Sequence, residues 1–211
     1  MTDCFPYKLT VLKEAASKDL TLKATVKEEI GESGTDDDDF IDTLIHQASA
    51  AIRSHLGYEL ASETVEERFR TGCAPEALWL TRTPVTALSG TVENGDDDIT
   101  LGIVEDGVTL ETDEYEFNAA TGEVWRLDGD DNRICWASNV LIVVKYTGGW
   151  VTLDEEPHDV ERCCVDLVKM WLDARDREAS VRSEQVPDVY SVTYRDADKL
   201  AGGSGMPADI E

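Results

Sequence analysis

The 211-residue sequence is poor in basic residues and has no long hydrophobic run. Its 19 lysines and arginines are outnumbered by 45 aspartates and glutamates, which gives a net charge of −26. Such a chain does not bind a nucleic-acid backbone or an anionic membrane through its overall field, because both need Lys and Arg. The longest purely apolar run, residues 140–144, is far shorter than the roughly 20 residues that span a bilayer. These absences exclude electrostatic binding of nucleic acid and a membrane-spanning helix.

Targeting and disulfide signals are also missing. The N-terminal residues have neither a basic start nor an apolar stretch, so we expect no signal peptide and synthesis in the cytoplasm. The five cysteines form an odd set without CxxC spacing, which favours small apolar core residues over metal ligands. Because 41% of the residues are hydrophobic, the chain has enough apolar surface to build a core.

The acidic residues are spread along the whole chain and are not confined to a tail. A dispersed acidic surface keeps a protein hydrated at molar salt, where repulsion is screened within roughly 3 Å. This pattern is typical of a protein from an extreme halophile or from one of its viruses. A nucleic-acid mimic and an ordinary acidic surface protein are the alternatives.

Signals for catalysis are scarce. His46 and His55 lie nine residues apart on one predicted helix, too far for a shared metal site, and His158 stands alone. No nucleophile motif, HExxH or phosphate-binding glycine loop is present. Residues 128–132 resemble the start of a calcium loop, but Arg133 and Asn139 replace its Gly and Glu. The acidic run 36–39 is typical of a helix start more than of a metal site. We therefore expect no enzyme activity, no metal and no cofactor.

Hydrophobic periodicity predicts an α+β fold. Helical spacing appears over residues 8–30 in two pieces, the second capped by Thr21, then from 36 to Gly57, and again after Pro157. Between residues 62 and 146 the period changes to two, with turn signals between six predicted strands. The predicted architecture is a small bundle of amphipathic helices with an inserted, mostly antiparallel β module and an extended C-terminal arm.

This pattern also predicts the domain organisation and the helix core. Residues 1–61 form an N-terminal helical part, 62–150 the inserted β module, 151–182 a long helix that packs on the first part, and 183–211 an extended arm and flexible tail. The candidate helix core comprises Phe40, Leu44, Ile45, Ile52, Leu56, Cys164, Leu167, Val168 and Trp171.

Several short motifs follow one another in an order that resembles a known family. A short helix over residues 20–31 precedes a long one that ends at Leu56-Gly57-Tyr58. The segments Leu-Thr-Arg-Thr-Pro-Val (80–85) and Lys-Tyr-Thr-Gly-Gly-Trp (145–150) come next, followed by a proline-initiated helix and Ser-Val-Thr-Tyr (191–194). Over residues 20–195 this order resembles the head–tail connector, or adaptor, proteins of long-tailed phages. The usual Arg and Gly are replaced by Tyr58 and Pro187.

The resemblance implies a virion structural protein of the head–tail neck, assembled in the host cytoplasm. Family members form a ring, usually of about twelve subunits, that joins the portal protein to a tail-side connector or tail protein. DNA would pass through the lumen without specific binding, and no membrane is involved. The C-terminal segment of the family reaches into the portal. The residues that would form this portal-binding arm are Val186, Val189, Tyr190, Val192, Tyr194 and Arg195.

Two points stay open at the level of the sequence. The alternating residues 189–194 fit either a strand that pairs with a neighbouring molecule or a strand of the chain's own sheet. The function could also be that of a DNA-mimic inhibitor, although a mimic needs its charge on one elongated face, or of a small acidic enzyme with an unrecognised site. The connector hypothesis is the one that the motif order favours.

Overall fold

A computed structural model describes residues 4–95, 97–150, 158–175, 183–186 and 190–193, the last two segments by their backbone only. It has three helices and antiparallel sheets, so the predicted α+β class is confirmed. The chain divides into two compact units. Unit 1 comprises Met1–Ser17 and Glu59–Val151, and unit 2 comprises Lys18–Tyr58 and Thr152–Glu211.

Unit 1 consists of eleven described strands in two sheets. The larger sheet follows the order β1-β2-β11-β6-β5, with β4 added to β11 and β7 to β6. Its strands are β1 (Lys8–Lys13), β2 (Glu63–Arg70), β4 (Val85–Ala87), β5 (Gly90–Val92), β6 (Ile99–Glu105), β7 (Val108–Thr109) and β11 (Leu141–Gly148). The smaller sheet is built on β9 (Glu123–Leu127), with β3 (Ala77–Trp79), β8 (Tyr115–Phe117) and β10 (Arg133–Ile134).

Alternation along β2 and β11 positions the core of unit 1. Ile142, Val144 and Tyr146 are fully buried, and the residues between them are half-buried, as expected for one covered face. Trp136 is also fully buried, and its indole Nε1 donates to the carbonyl of Val124 at 3.2 Å. The six predicted strands correspond to β2, β3, β4, β6, β8 and β11.

The predicted helix at the start of the chain is wrong. Lys8–Lys13 is strand β1, which pairs antiparallel with β2 so that Val11 lies opposite Val65. Leu9, Leu12, Ala15 and Ala16 have helical spacing, but four positions are too few to distinguish the two periods. The β-branched Thr10 and Val11 fit a pleated surface, and pairing with β2 satisfies the backbone.

Unit 2 contains α1 (Lys23–Ile30), α2 (Asp38–Leu56) and α3 (His158–Arg175), which pack on one another, and the hairpin β12 (Ser183–Val186) and β13 (Tyr190–Thr193). Gly31 and Gly57 end α1 and α2 in the left-handed conformation, as predicted for Gly57. Thr21 is not the cap of α1, since Leu22 holds that position. The Thr21 hydroxyl instead donates to Glu161 on α3 at 3.2 Å.

Most of the candidate helix core lies inside unit 2. Leu44, Ile45, Ile52, Cys164, Leu167 and Val168 are buried, together with Ile41, Ala48, Val165 and Leu172. Leu56 and Trp171 are half-buried, and Phe40 is exposed. Phe40 was expected in the core, but the next residue of α2, Ile41, faces the interior in its place. The Phe40 ring lies instead under the guanidinium of Arg175, 4.8 Å from its Cζ.

Candidate functional site

Two segments that carry the sequence resemblance, 80–85 and 145–150, meet inside unit 1 beside residues 60–62. Gly149 donates to the Pro84 carbonyl at 2.9 Å, and Trp150 donates to the Leu60 carbonyl at 2.8 Å. The Ser62 amide in turn donates to the carbonyl of Trp150 at 3.0 Å. Residues distant in sequence are therefore joined by backbone hydrogen bonds. We call this arrangement of residues 60–62, 81–85 and 146–150 the motif cluster.

Two glycines allow the backbones of the motif cluster to approach closely. A Cβ at Gly148 would lie 2.3 Å from the Arg82 carbonyl oxygen. A Cβ at Gly149 would lie 2.5 Å from the Ala61 carbonyl oxygen, and its φ of 105° also favours glycine. The Gly-Gly pair is therefore required by packing, which gives this motif a structural role.

A buried carboxylate lies beside the motif cluster. Glu67 is fully buried, and its Oε1 accepts hydrogen bonds from the Tyr146 hydroxyl at 2.8 Å and from the Thr81 amide at 3.1 Å. The Thr81 hydroxyl donates to the same oxygen, and the Arg82 amide donates to the Tyr146 hydroxyl at 2.9 Å. Each of these polar groups thus has a partner, as burial demands.

Burial raises the pKa of the Glu67 carboxyl, although the donors from Thr81 and Tyr146 and the charge of Arg82 act in the opposite direction. Burial and the neighbouring Glu67 charge likewise raise the pKa of Tyr146. Arg82 pairs through Nε with the buried Glu63 at 3.3 Å. No local pattern in the sequence predicts this network, because Glu67 resembles any other acidic residue of an alternating strand.

The other chemical candidates do not assemble into a reactive site. His46 is exposed and lies 2.6 Å through Nδ1 from Asp19 Oδ1. His55 is exposed in the last turn of α2, and His158 is exposed at the first position of α3. Within the described parts of the chain no three His, Cys, Asp or Glu side chains are grouped as metal ligands would be.

The calcium-like segment forms a turn held by its own side chain. Asp128 Oδ1 accepts from the amides of Asp130 at 2.9 Å and Asn132 at 3.0 Å. These donors lower the pKa of Asp128. The carboxylate thus closes the connection between β9 and β10 in the manner of an Asx turn.

The cysteines have different surroundings. Cys164 is fully buried beside the Ser49 hydroxyl, and burial raises the pKa of its thiol to about 11. A thiol with such a pKa is a poor nucleophile, which suits the predicted packing role. Cys73 and Cys135 are exposed, unlike core residues.

The arm residues lie partly within the hairpin of unit 2. Val186 is the last residue of β12, and Tyr190 and Val192 belong to β13. Val186 lies opposite Tyr190, and Glu184 opposite Val192. Val189, Tyr194 and Arg195 lie outside the described residues. Of the two alternatives for this segment, the structure has the strand paired within its own chain.

An exposed aromatic group near the N-terminus was not identified from the sequence. Phe5 and Tyr7 are 66% and 57% exposed, and the Phe5 ring stacks on Trp79 with 6.4 Å between ring centroids. The alternation of Phe5, Tyr7, Leu9 and Val11 is a strand signal that could have revealed this surface. It was obscured by the interpretation of the segment as a helix.

Comparison with known proteins gives a structural likeness. No protein family and no curated protein matches the sequence. A chain described as "Neck of empty GTA particle computed with C6 symmetry" aligns over 85% of this chain and 89% of its own length, with 14% identity and a TM-score of 0.48. At these values the likeness does not establish a shared fold or function. In the described part of the chain, no helix is long and apolar enough to cross a membrane.

Proposed function

We propose that this chain is a structural protein of a virion neck, an adaptor that forms a ring between the capsid portal and the tail. The proposal rests on the motif order, and the observation that carries it is the motif cluster. The motifs at 80–85 and 145–150 are weak as isolated strings. The Gly149 amide donates to the Pro84 carbonyl, and this bond joins the two motifs, which gives both a structural reason to occur in one chain.

The proposed ring has about twelve copies of the chain, with the portal on one side and a tail-side protein on the other. DNA passes through its lumen without specific binding, because an acidic wall repels phosphates. The arm from Val186 to Arg195 and the residues behind it are the proposed portal contact. An unpaired strand is not needed for this, since a hairpin can add to an exposed sheet edge as a unit.

The acidic surface has a second proposed role in a halophilic setting. Many acids of unit 2 pair with the few cations present, such as Asp38 with Lys27 and Asp37 with Arg175. The remaining negative charge repels itself at low ionic strength and is screened at molar salt. Acids distributed over helices, strands and turns do not favour the DNA-mimic alternative, which requires one elongated charged face.

Light scattering after size-exclusion chromatography tests the proposal, with the purified chain in molar KCl and at physiological salt, alone and with the portal protein encoded beside it. We expect a ring of about twelve copies or co-elution with the portal. Greater stability in molar KCl would support the halophilic setting. A monomer that ignores the portal at both salt concentrations would overturn the connector proposal.

The arm assignment has its own test. A chain ending after Arg182 loses the hairpin, whereas one ending after Arg195 keeps it and lacks only the last 16 residues. We expect the first to keep its fold and lose portal binding. Retained binding by that shorter chain would contradict the assignment, and the longer truncation separates the hairpin from the tail.

A further inference from the structure

The N-terminal segment of unit 1, residues 4–13, lies along edges of both of its sheets. Cys4 forms a parallel bridge with Leu78 of β3, and the Trp79 amide donates to the Cys4 carbonyl at 3.1 Å. β1 then pairs with β2 as the end strand of the larger sheet. Among the described strands none pairs with the other side of β1. An end strand of this kind presents backbone groups that another strand can bind.

Several apolar and aromatic side chains of residues 4–13 are exposed at this edge of the sheet. Leu9 and Val11 lie opposite the buried Glu67 and Val65, so the side chains of Leu9 and Val11 are on the covered face of the sheet. Val11 is nevertheless 37% exposed, and Tyr7 and Phe5 are more exposed still. Exposed aromatic residues beside an open strand are characteristic of the energetic centre of a protein interface.

The indole N–H of Trp79, whose ring stacks on Phe5, is buried and has no acceptor among the described residues. Buried donors are almost always paired in folded proteins. The Trp79 indole is therefore an unsatisfied polar group beside the exposed Phe5 ring.

The charge of residues 4–13 indicates what kind of molecule they bind. Residues 4–13 include Lys8 and Lys13 and no acidic residue, in a chain whose net charge is −26. Lys13 Nζ also donates to the Glu93 carbonyl at 2.7 Å. A basic, aromatic strand attracts an acidic protein surface, and a second copy of this chain supplies such a surface in abundance.

We propose that residues 4–13 are the contact through which one copy binds an acidic strand edge or loop of the next. Two β1 strands paired with each other would bring lysines together, which disfavours a two-fold contact. A contact between unlike surfaces is heterologous, and heterologous contacts close into rings or extend into filaments. This inference supplies the subunit contact of the proposed ring and rests on that proposal.

Tyr7→Asp tests this contact, with Val108→Asp as the matched control. Both residues are exposed, belong to unit 1 and change by the same charge, but Val108 lies on β7. At a concentration where the unmodified chain is assembled in molar KCl, we expect Tyr7→Asp to require roughly tenfold more protein to assemble and Val108→Asp to behave as the unmodified chain. Light scattering gives the mass of each species.

A photo-cross-linking amino acid at position 7 tests the contact without a charge change, in case Tyr7→Asp does not fold. We expect a product between two copies, mapped to an acidic segment, and none from position 108. Cross-linking only to added portal or DNA, an unmodified chain that stays monomeric, or unchanged assembly of folded Tyr7→Asp would each overturn the inference. Rings that form through position 7 but ignore the portal would instead contradict the proposed function and leave this contact standing.

Discussion

The two units differ in whether charged side chains are buried in their interior. Unit 1 has a carboxylate in its interior, where Glu67 is held by Tyr146 and Thr81. Among the described residues of unit 2 the buried polar side chains, Thr21 and Ser49, are uncharged, and ion pairs such as Arg162 with Asp166 at 2.9 Å are exposed. A buried polar group that lacks a hydrogen-bond partner lowers the stability of the fold. The two members of an exposed ion pair bind water when the pair is broken, so losing the pair costs little. Substitutions in the two units should therefore differ in size and in pH dependence.

The largest expected effect is in the interior of unit 2. Leu167→Ala removes a fully buried side chain between the helices and should cost about 2–5 kcal/mol of unfolding free energy. Trp171→Ala is the matched comparison on the same helix. A fully buried Trp171 would give a loss of about 3–5 kcal/mol. Because Trp171 is only half-buried, we expect a smaller loss than for Leu167→Ala. Denaturant unfolding measures both, and the reverse order would contradict this packing.

The second largest loss of stability is expected where the backbones of Gly148 and Arg82 lie close together in unit 1. Gly148→Ala places a Cβ against the Arg82 carbonyl, so a backbone shift is needed that costs about 1–3 kcal/mol. Gly129→Ala is the control, since nothing lies within 4 Å of its Cβ. Hydrogen exchange should show the loss as weaker protection of β11 and β2. Equal stability of the two variants would show that the motif cluster is not tightly packed.

A pH profile distinguishes the interior carboxylate from the surface ones. The folded pKa of Glu67 is raised, so the folded state binds a proton more tightly than the unfolded state. Its contribution is complete below the unfolded pKa and is lost as the pH rises through the folded pKa. Glu29 and Glu116 have lowered pKa values, so their contribution is instead lost as the pH falls.

Glu67→Gln removes the Glu67 contribution and keeps an acceptor for Tyr146. Relative to this variant, the unmodified chain should lose unfolding free energy between the ordinary carboxyl range and the raised pKa, and no further above it. Thermal melts at a series of pH values measure the difference. A difference that stays constant with pH would mean that Glu67 titrates normally.

The smallest effect is expected at the surface of unit 2. Arg162→Gln removes pairs with Glu29 and Asp166, all of them solvent-exposed. The free energy of unfolding should change little, and the change should shrink further in molar KCl because salt screens exposed pairs. A loss as large as that of Gly148→Ala would show that these ion pairs, more than the apolar stripe, hold the helices together.

The elements that could be predicted are those whose signal is local and long. The stripe of α2 continues for five turns, and α3 repeats Val, Leu and Cys at helical spacing, so both helices were identified. Short segments were harder. Leu9, Leu12, Ala15 and Ala16 fitted a helix, and only pairing with β2 makes residues 8–13 a strand. The strands β5, β7, β9 and β10 are short or lack clear alternation, and they depend on their neighbours.

The sequence by itself determined the α+β class, the two long helices, the strong negative charge and the order of motifs. It did so because periodicity, composition and turn residues are local properties. Only the tertiary structure decided that Gly148 must lack a Cβ, that Glu67 is buried among donors and that residues 4–13 form an open basic edge. Each of these three features depends on residues distant in sequence that lie within a few ångströms of one another, and a local sequence pattern does not predict such contacts.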